Sequence, residues 1–495
     1  MKKVLILIAI IVLLSITAIV VVLNKRGAAP VEVPPVESSG EVQVVEKPED
    51  VEKPAKEELN SVGDLDFAFM KLENSGDNMI YSPLSIKTAL LMLREGATGE
   101  TKAQIDKLLG DYVGKSYPNS KNISFANSVF IRDNFEDFVK DSYKQTVNSK
   151  YGAEIIIDDF SSAERANKWI NEKTLGLIDN VLTDDEVKNP LTVMLLINAL
   201  GIDMEWAVKY DVVLTHPDIF LKENDKYLRT EWGYYEDIDS EDSYTVPMQY
   251  EQFFINTYQE GTKYYNADYK LWSEMGQYND PEVKYYVDDD MTVYAKGLKE
   301  YNGVNLQFVA IQPEKTPLKE FVKSFDSKKY EDILSNLKGL SVEEHNPNKY
   351  IEIYFKMPKF KFDYSLSLKS DLEELGMTDA FNDKLAEFYN IIENDGSAFL
   401  YVADAIHKAT IDLSEEGIKA AAVTVFEMGG GGEGDEEIEW EYIHVYIDKP
   451  FIFVVRDEDT GDIWFTGTVY KPTLWEDVEE QYSPKSWSEY EEAMN

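Results

Sequence analysis

The chain contains no cysteine. Structural disulfides, thiolate metal sites and a cysteine nucleophile are therefore excluded, and so is a lipid-modified amino-terminal cysteine. Histidine is scarce, with His216, His345, His407 and His444 scattered and none in HExxH-type spacing. No His-based zinc site is expected. Positive charge is also short, with 49 basic against 92 acidic residues and a net charge of −43. Phosphate backbones need a basic footprint, so the charge balance argues against nucleic-acid binding and no nucleic-acid partner is expected. The acidity instead favours solubility. No GxSxG nucleophile elbow occurs. Gly429, Gly431 and Gly434 match a dinucleotide fingerprint in spacing, but Asp435, Glu436 and Glu437 would repel a pyrophosphate. No catalytic residue, metal or cofactor is expected, and the chain is not expected to be an enzyme.

Long apolar runs are absent except one. Lys2 and Lys3 precede residues 4–23, which are apolar apart from Ser15 and Thr17. About 20 residues at roughly 1.5 Å each span a hydrocarbon core of ~30 Å as a helix. The run ends in Asn24, Lys25 and Arg26 with no Ala-x-Ala site directly after it, which favours an uncleaved signal anchor over a signal peptide. The expectation is a transmembrane helix within residues 1–26, with the folded part on the extracytoplasmic side. The alternative is secretion after signal cleavage. Residues 27–60 are rich in Pro, Val, Glu and Lys without periodicity, as in an extended linker.

A globular pattern follows over residues 61–475, leaving an acidic, aromatic tail over 476–495. Ser82 or Ser85 is placed to cap a helix with an apolar face of Ile86, Ala89, Leu90 and Leu93. Residues 125–132 and 153–160 read as strands, and 138–149 and 163–180 as helices. Residues 191–200, LTVMLLINAL, are apolar almost throughout, as a strand covered on both faces should be. Residues 218–293 read as short strands carrying long polar insertions. Residues 317–337 contain a helix, and 350–362 alternate like a strand pair. Residues 405–413 form a strand, and 451–456 with 463–470 a hairpin around Asp459, Thr460 and Gly461.

Residues 414–449 combine two contradictory signals. Ile418, Ala420, Ala422, Thr424 and Phe426 alternate with Lys419, Ala421, Val423, Val425 and Glu427. The even-numbered set is small or apolar, a buriable strand face. The glycine-rich acidic run 429–434 that follows reads as exposed loop. One account is a hairpin with a flexible tip. The other is a segment that is loop in one state and strand in another.

These pieces, in this order, resemble a serpin. The resemblance rests on NMIYSPLSIKTALLMLREGATGETKAQIDKLLG, FANSVF at Phe125, YGAEIIIDDF, INEKTLGLID, LLINALGIDMEW, VPM at Val246, LGMTDAF at Leu375, IHKATIDLSEEG at Ile406 and KPFIFVVRDEDTGDIWFTGTV at Lys449. It implies an α+β fold with three β-sheets, about nine helices and an exposed reactive-centre loop. It also implies suicide-substrate inhibition of serine, or alternatively cysteine, endopeptidases. The target cleaves the loop, the loop inserts as a new strand of the main sheet, and the acyl-enzyme is trapped. Serpin loop insertion is itself a standard example of strand addition and of strain release. The hinge would be Glu415, Glu416, Gly417, Ile418, Lys419, Ala420, Ala421, Ala422 and Val423. Ser82, Ser85, Asn198 and His407 would form the polar shutter beneath the sheet, and Trp206 the breach at its top. Counting forward from the hinge puts the reactive bond between Gly431 and Gly432, while counting back from KPF puts it near Glu439, so the loop carries an insertion at about 429–439. Elastase-like, subtilisin-like or glutamate-specific proteases are the candidate partners. The alternative function is a non-inhibitory serpin acting as a surface binding module.

Overall fold

The computed structural model describes residues 12–25, 64–255, 282–415 and 439–482, apart from 177, 179, 211, 231–232, 342–343, 347–348 and 394–397. Sixteen strands are present among these: β1 (Val12–Lys25), β2 (Met79–Tyr81), β3 (Ile123–Arg132), β4 (Glu154–Asp158), β5 (Thr192–Asp203), β6 (His216–Leu221), β7 (Ser243–Ile255), β8 (Val283–Val287), β9 (Met291–Gly297), β10 (Leu306–Pro313), β11 (Lys349–Pro358), β12 (Phe360–Ser367), β13 (Ala398–Leu413), β14 (Glu439–Tyr446), β15 (Phe451–Asp457) and β16 (Ile463–Val469). They form three sheets, as expected, in the orders β12-β13-β1-β5-β3-β4, β2-β16-β15-β10-β9-β8 and β14-β11-β7-β6. Ten segments among the described residues are α-helical, beginning with α1 (Leu65–Leu72), and several have only one or two turns.

The large sheet is built around β5, which is buried along nearly its whole length. Alternate residues serve different cores. Met194 and Leu196 join the main core with Ile86, Leu90 and Leu93 of helix α2 (Pro83–Gly96). Leu195, Ile197 and Ala199 face Trp169 and Ile170, which lie on the helix Glu164–Lys173. Helix α2 starts where the sequence places it. Ser82 is extended and its side chain accepts from Ser85 N, with Pro83 at the first helical position.

Three local expectations shift. The helix predicted over 163–180 ends at Lys173, because Leu175 and Gly176 take left-handed φ values of 58° and 82°. The helix within 317–337 divides into Leu318–Lys323 and Ser327–Ser335, because the Asp326 side chain starts a new helix by accepting from Lys329 N. The strand pair over 350–362 is split between two sheets at Lys359.

The larger correction concerns the amino-terminal run. Val12–Lys25 is not a helix but a fourteen-residue strand at the centre of the large sheet. No helix among the described residues is long and apolar enough to cross a membrane. Half of the segment is Val, Ile or Thr, residues whose branched side chains suit a pleated strand at least as well as a helix. Between two strands it forms hydrogen-bonded ladders on both edges, which meets the same backbone demand that a bilayer helix meets internally.

Candidate functional site: the central slot and its gates

The slot lies between β5 and β13. Both are antiparallel to β1, with Val12 opposite Asp203 and Asp412 at one end and Val22 opposite Thr192 and Tyr401 towards the other. Halfway along, helix α2 delivers a chain of buried polar groups to the sheet. Ser82 N donates to His407 Nε2 at 3.0 Å, and Ser85 N to Ser82 Oγ at 3.1 Å. Ser85 Oγ donates to Asn198 Oδ1, and Asn198 Nδ2 donates to Asn127 Oδ1 at 2.9 Å. Ser82, Ser85, Asn198 and His407 are fully buried, and Asn127 is 3% exposed. All four expected shutter residues thus meet in one cluster, which joins β13 through α2 to β5 and β3. Buried polar groups left unpaired are costly, and here the network stays paired with β5 and β13 held apart by β1. Asn127 went unnoticed in the sequence, although it sits inside FANSVF and alternates correctly along β3.

At the Asp203 and Asp412 end, the chain leaves β13 towards the hinge. Trp206 is 1% exposed, and its Nε1–H donates to the Ser414 carbonyl at 2.9 Å. Tyr210 N donates to the Glu415 carbonyl at 3.1 Å. The Glu415 carboxylate is buried and lies 2.8 Å from Lys359 Nζ. Tyr482 OH donates to the other carboxylate oxygen and accepts from Lys359 Nζ. Burial and the adjacent Glu415 charge push the Tyr482 phenol up, keeping it a donor. The acidic tail therefore returns to the hinge, stacking Trp475 on Tyr482 on the way. Nothing in its period announced this. Glu415 is the last hinge residue described; Glu416, Gly417, Ile418, Lys419, Ala420, Ala421, Ala422, Val423 and the Gly431 and Gly432 pair lie outside the described residues.

The loop returns as β14, which pairs in parallel with β11. Just beyond β14, Asp448 is fully buried. It contacts Arg229, accepts from Tyr235 OH at 2.8 Å and lies 3.0 Å from Lys356 Nζ. Burial alone would raise its carboxyl, but the Arg229 and Lys356 charges outweigh this and hold it below the usual range. Lys449 of the KPF motif is equally enclosed. Its Nζ donates to the carbonyls of Asn224, Tyr227 and Glu314 and lies 3.0 Å from Glu314 Oε2.

Comparison with known proteins gives a consistent result. The profile of the family described as Serpin (serine protease inhibitor) matches residues 64–250 and 249–472. An uncharacterized serpin-like protein of Methanosarcina acetivorans is 26% identical over 82% of this chain and 83% of its own length. Human antithrombin-III is 26% identical over 81% of this chain and 78% of its own. Among solved structures, the native state of the thermophilic serpin tengpin superposes with a TM-score of 0.57 at 26% identity, covering 85% of this chain and 96% of its own.

Proposed function

The chain belongs to the serpin family, and from that premise we propose that it inhibits serine, or alternatively cysteine, endopeptidases as a suicide substrate. The target acylates itself on the bond between Gly431 and Gly432. The freed amino-terminal part of the loop then enters the slot between β5 and β13. The observation that carries this is a match of lengths. The strand in the slot has fourteen residues, and the hinge-to-bond segment 418–431 also counts fourteen in the sequence. At about 3.3 Å per residue that segment carries an attached protease ~45 Å. A cut near Glu439 would leave a segment far longer than the slot, and a cut at Phe426 one far shorter. Ala420, Ala421 and Ala422 let the strand pass the sheet with little steric demand, and Gly417 gives the hinge its freedom.

The amino-terminal run is the proposed membrane tether, with residues 27–60 as spacer and the serpin domain outside. The test is to mix the vesicle-bound full chain with elastase-like, subtilisin-like and glutamyl proteases and look for a complex that survives SDS. Cleavage in the loop with no covalent complex under any condition rules inhibition out.

One observation favours a binding module instead. Beside β14 lies a cavity of about 510 Å³, lined by Tyr234, Tyr235, Tyr250, Tyr354, Tyr442 and Tyr446. Such an aromatic wall suits a bound ligand, and no step of inhibition uses it.

A further inference from the structure

The strand in the central slot comes from the most apolar stretch of the chain, and three features mark it as fitted to that place. Its ladders are antiparallel on both edges and run without a shift from Val12 to Val20 against β13 and from Val12 to Val21 against β5. A strand enclosed within a sheet needs a near-continuous apolar sequence, and VLLSITAIVVVLNK reads like its neighbour TVMLLINALGID. Within residues 4–23 only Ser15 and Thr17 are polar. Thr17 stands in register with Asn198 on one side and His407 on the other, at the level of the polar shutter.

Direction matters as much as fit. β13 runs up to Leu413 and hands the chain to Glu415 beside Trp206. A cleaved loop turning back there would descend along β13, antiparallel to it and in the same sense as β1. Both segments would need the same backbone N–H and C=O groups of β5 and β13. We propose that Val12–Lys25 is a resident plug of the insertion slot, which excludes the reactive loop until it is withdrawn. The same run suits a bilayer as a helix of about 20 residues, so a lipid bilayer is the acceptor that withdraws it. One segment cannot occupy both places. Plugged, the chain is a plain protease substrate; with the run in lipid, the slot is free for the loop. The plug itself stands on the strand ladders, while its consequence for proteases rests on the inhibitory function proposed above.

A chain without native cysteine permits a clean test. Ser15→Cys with Ala409→Cys places a pair directly across the β1–β13 ladder. Ser15→Cys with Val402→Cys is a control, since Val402 stands opposite Val21. In the full chain, free of lipid and under mild oxidation, the in-register pair should cross-link at least roughly tenfold more than the control, because only facing positions meet disulfide geometry. Added phosphatidylcholine vesicles should abolish the cross-link. Absence of the in-register cross-link, or equal cross-linking in the control, overturns the plug, and a cross-link that persists in vesicle-bound chain overturns its withdrawal by lipid. Separately, Thr17→Pro with Val20→Pro removes ladder donors from a central strand. It should convert the lipid-free full chain from a plain substrate into one that forms an SDS-stable complex. If the cross-link forms in register but the proline variant never traps a protease, the plug stands and the inhibitory function falls.

Discussion

At its departure the loop over residues 416–438 is tied by Glu415, whose partners come from two distant places, Lys359 at a sheet crossing and Tyr482 in the tail. At its return it is tied by Asp448 and Lys449, which are fully buried and ringed by Arg229, Lys356, Tyr235 and Glu314. The departure depends on one carboxylate and two carbonyls held by Trp206 and Tyr210. The return depends on a network with several opposing charges. The proposed insertion would need this asymmetry: the departing end would have to turn into the sheet, while β14 stays in place and keeps the cleaved product attached to the body.

Substitutions at the two ends should separate them, and the largest effect belongs to the moving end. Ala422→Arg puts a charge into the segment that must enter the sheet, so vesicle-bound chain should still be cut but lose all SDS-stable complex. Equal trapping by this variant would mean that nothing inserts. At the fixed end, Arg229→Ala leaves Asp448 buried with one charge partner fewer. A loss of about 3–5 kcal/mol is expected in denaturant unfolding, with the pattern of loop cleavage unchanged.

Asp371 belongs to neither end and calibrates both. Burial and the neighbouring Glu73 charge push its carboxyl from 3.8 up to about 7. The folded state therefore binds the proton more tightly, so this stabilisation is complete below pH ~4 and disappears as pH rises through about 7. Asp371→Asn should stay neutral throughout and shrink the stability difference between pH 5 and pH 8, by at most ~2.5 kcal/mol and by less where solvent screens the carboxyl. A pH profile identical to wild type would assign that loss to other groups. The smallest global effect is expected from Tyr482→Phe, which removes the hydroxyl's bonds to the Glu415 carboxylate and from Lys359, a local loss of about 1.5–3 kcal/mol. Its signature is faster hydrogen exchange around Ser414 and Glu415 with little change in global melting. If the exchange is unaltered, the tail does not restrain the hinge.

What could be read from the sequence followed from burial and spacing. β5 was visible because a strand covered on both faces is apolar at every position, and Ser82 because a serine before proline and an apolar face is a helix cap. Ser85, Asn198 and His407 came with Ser82 from the resemblance, and the structure brings the four side chains into one hydrogen-bonded cluster. The amino-terminal run, expected as a spanning helix, is a strand of the large sheet here, because length and hydropathy alone do not separate a spanning helix from a strand paired on both edges. Its share of Val, Ile and Thr was the overlooked hint. Lys359 and Tyr482 were invisible because a lone lysine between strands and a tyrosine in an acidic tail carry no period. Only the folded chain brings them together, at Glu415.

The most direct test of loop insertion is melting before and after a single cut in the loop, made on the Thr17→Pro, Val20→Pro chain so that the slot is free. A fourteen-residue strand completing the large sheet should raise the melting temperature by about ten degrees or more, the scale of several kcal/mol in a large domain. An unchanged or lower melting temperature after the cut would contradict insertion and, with it, the inhibitory mechanism.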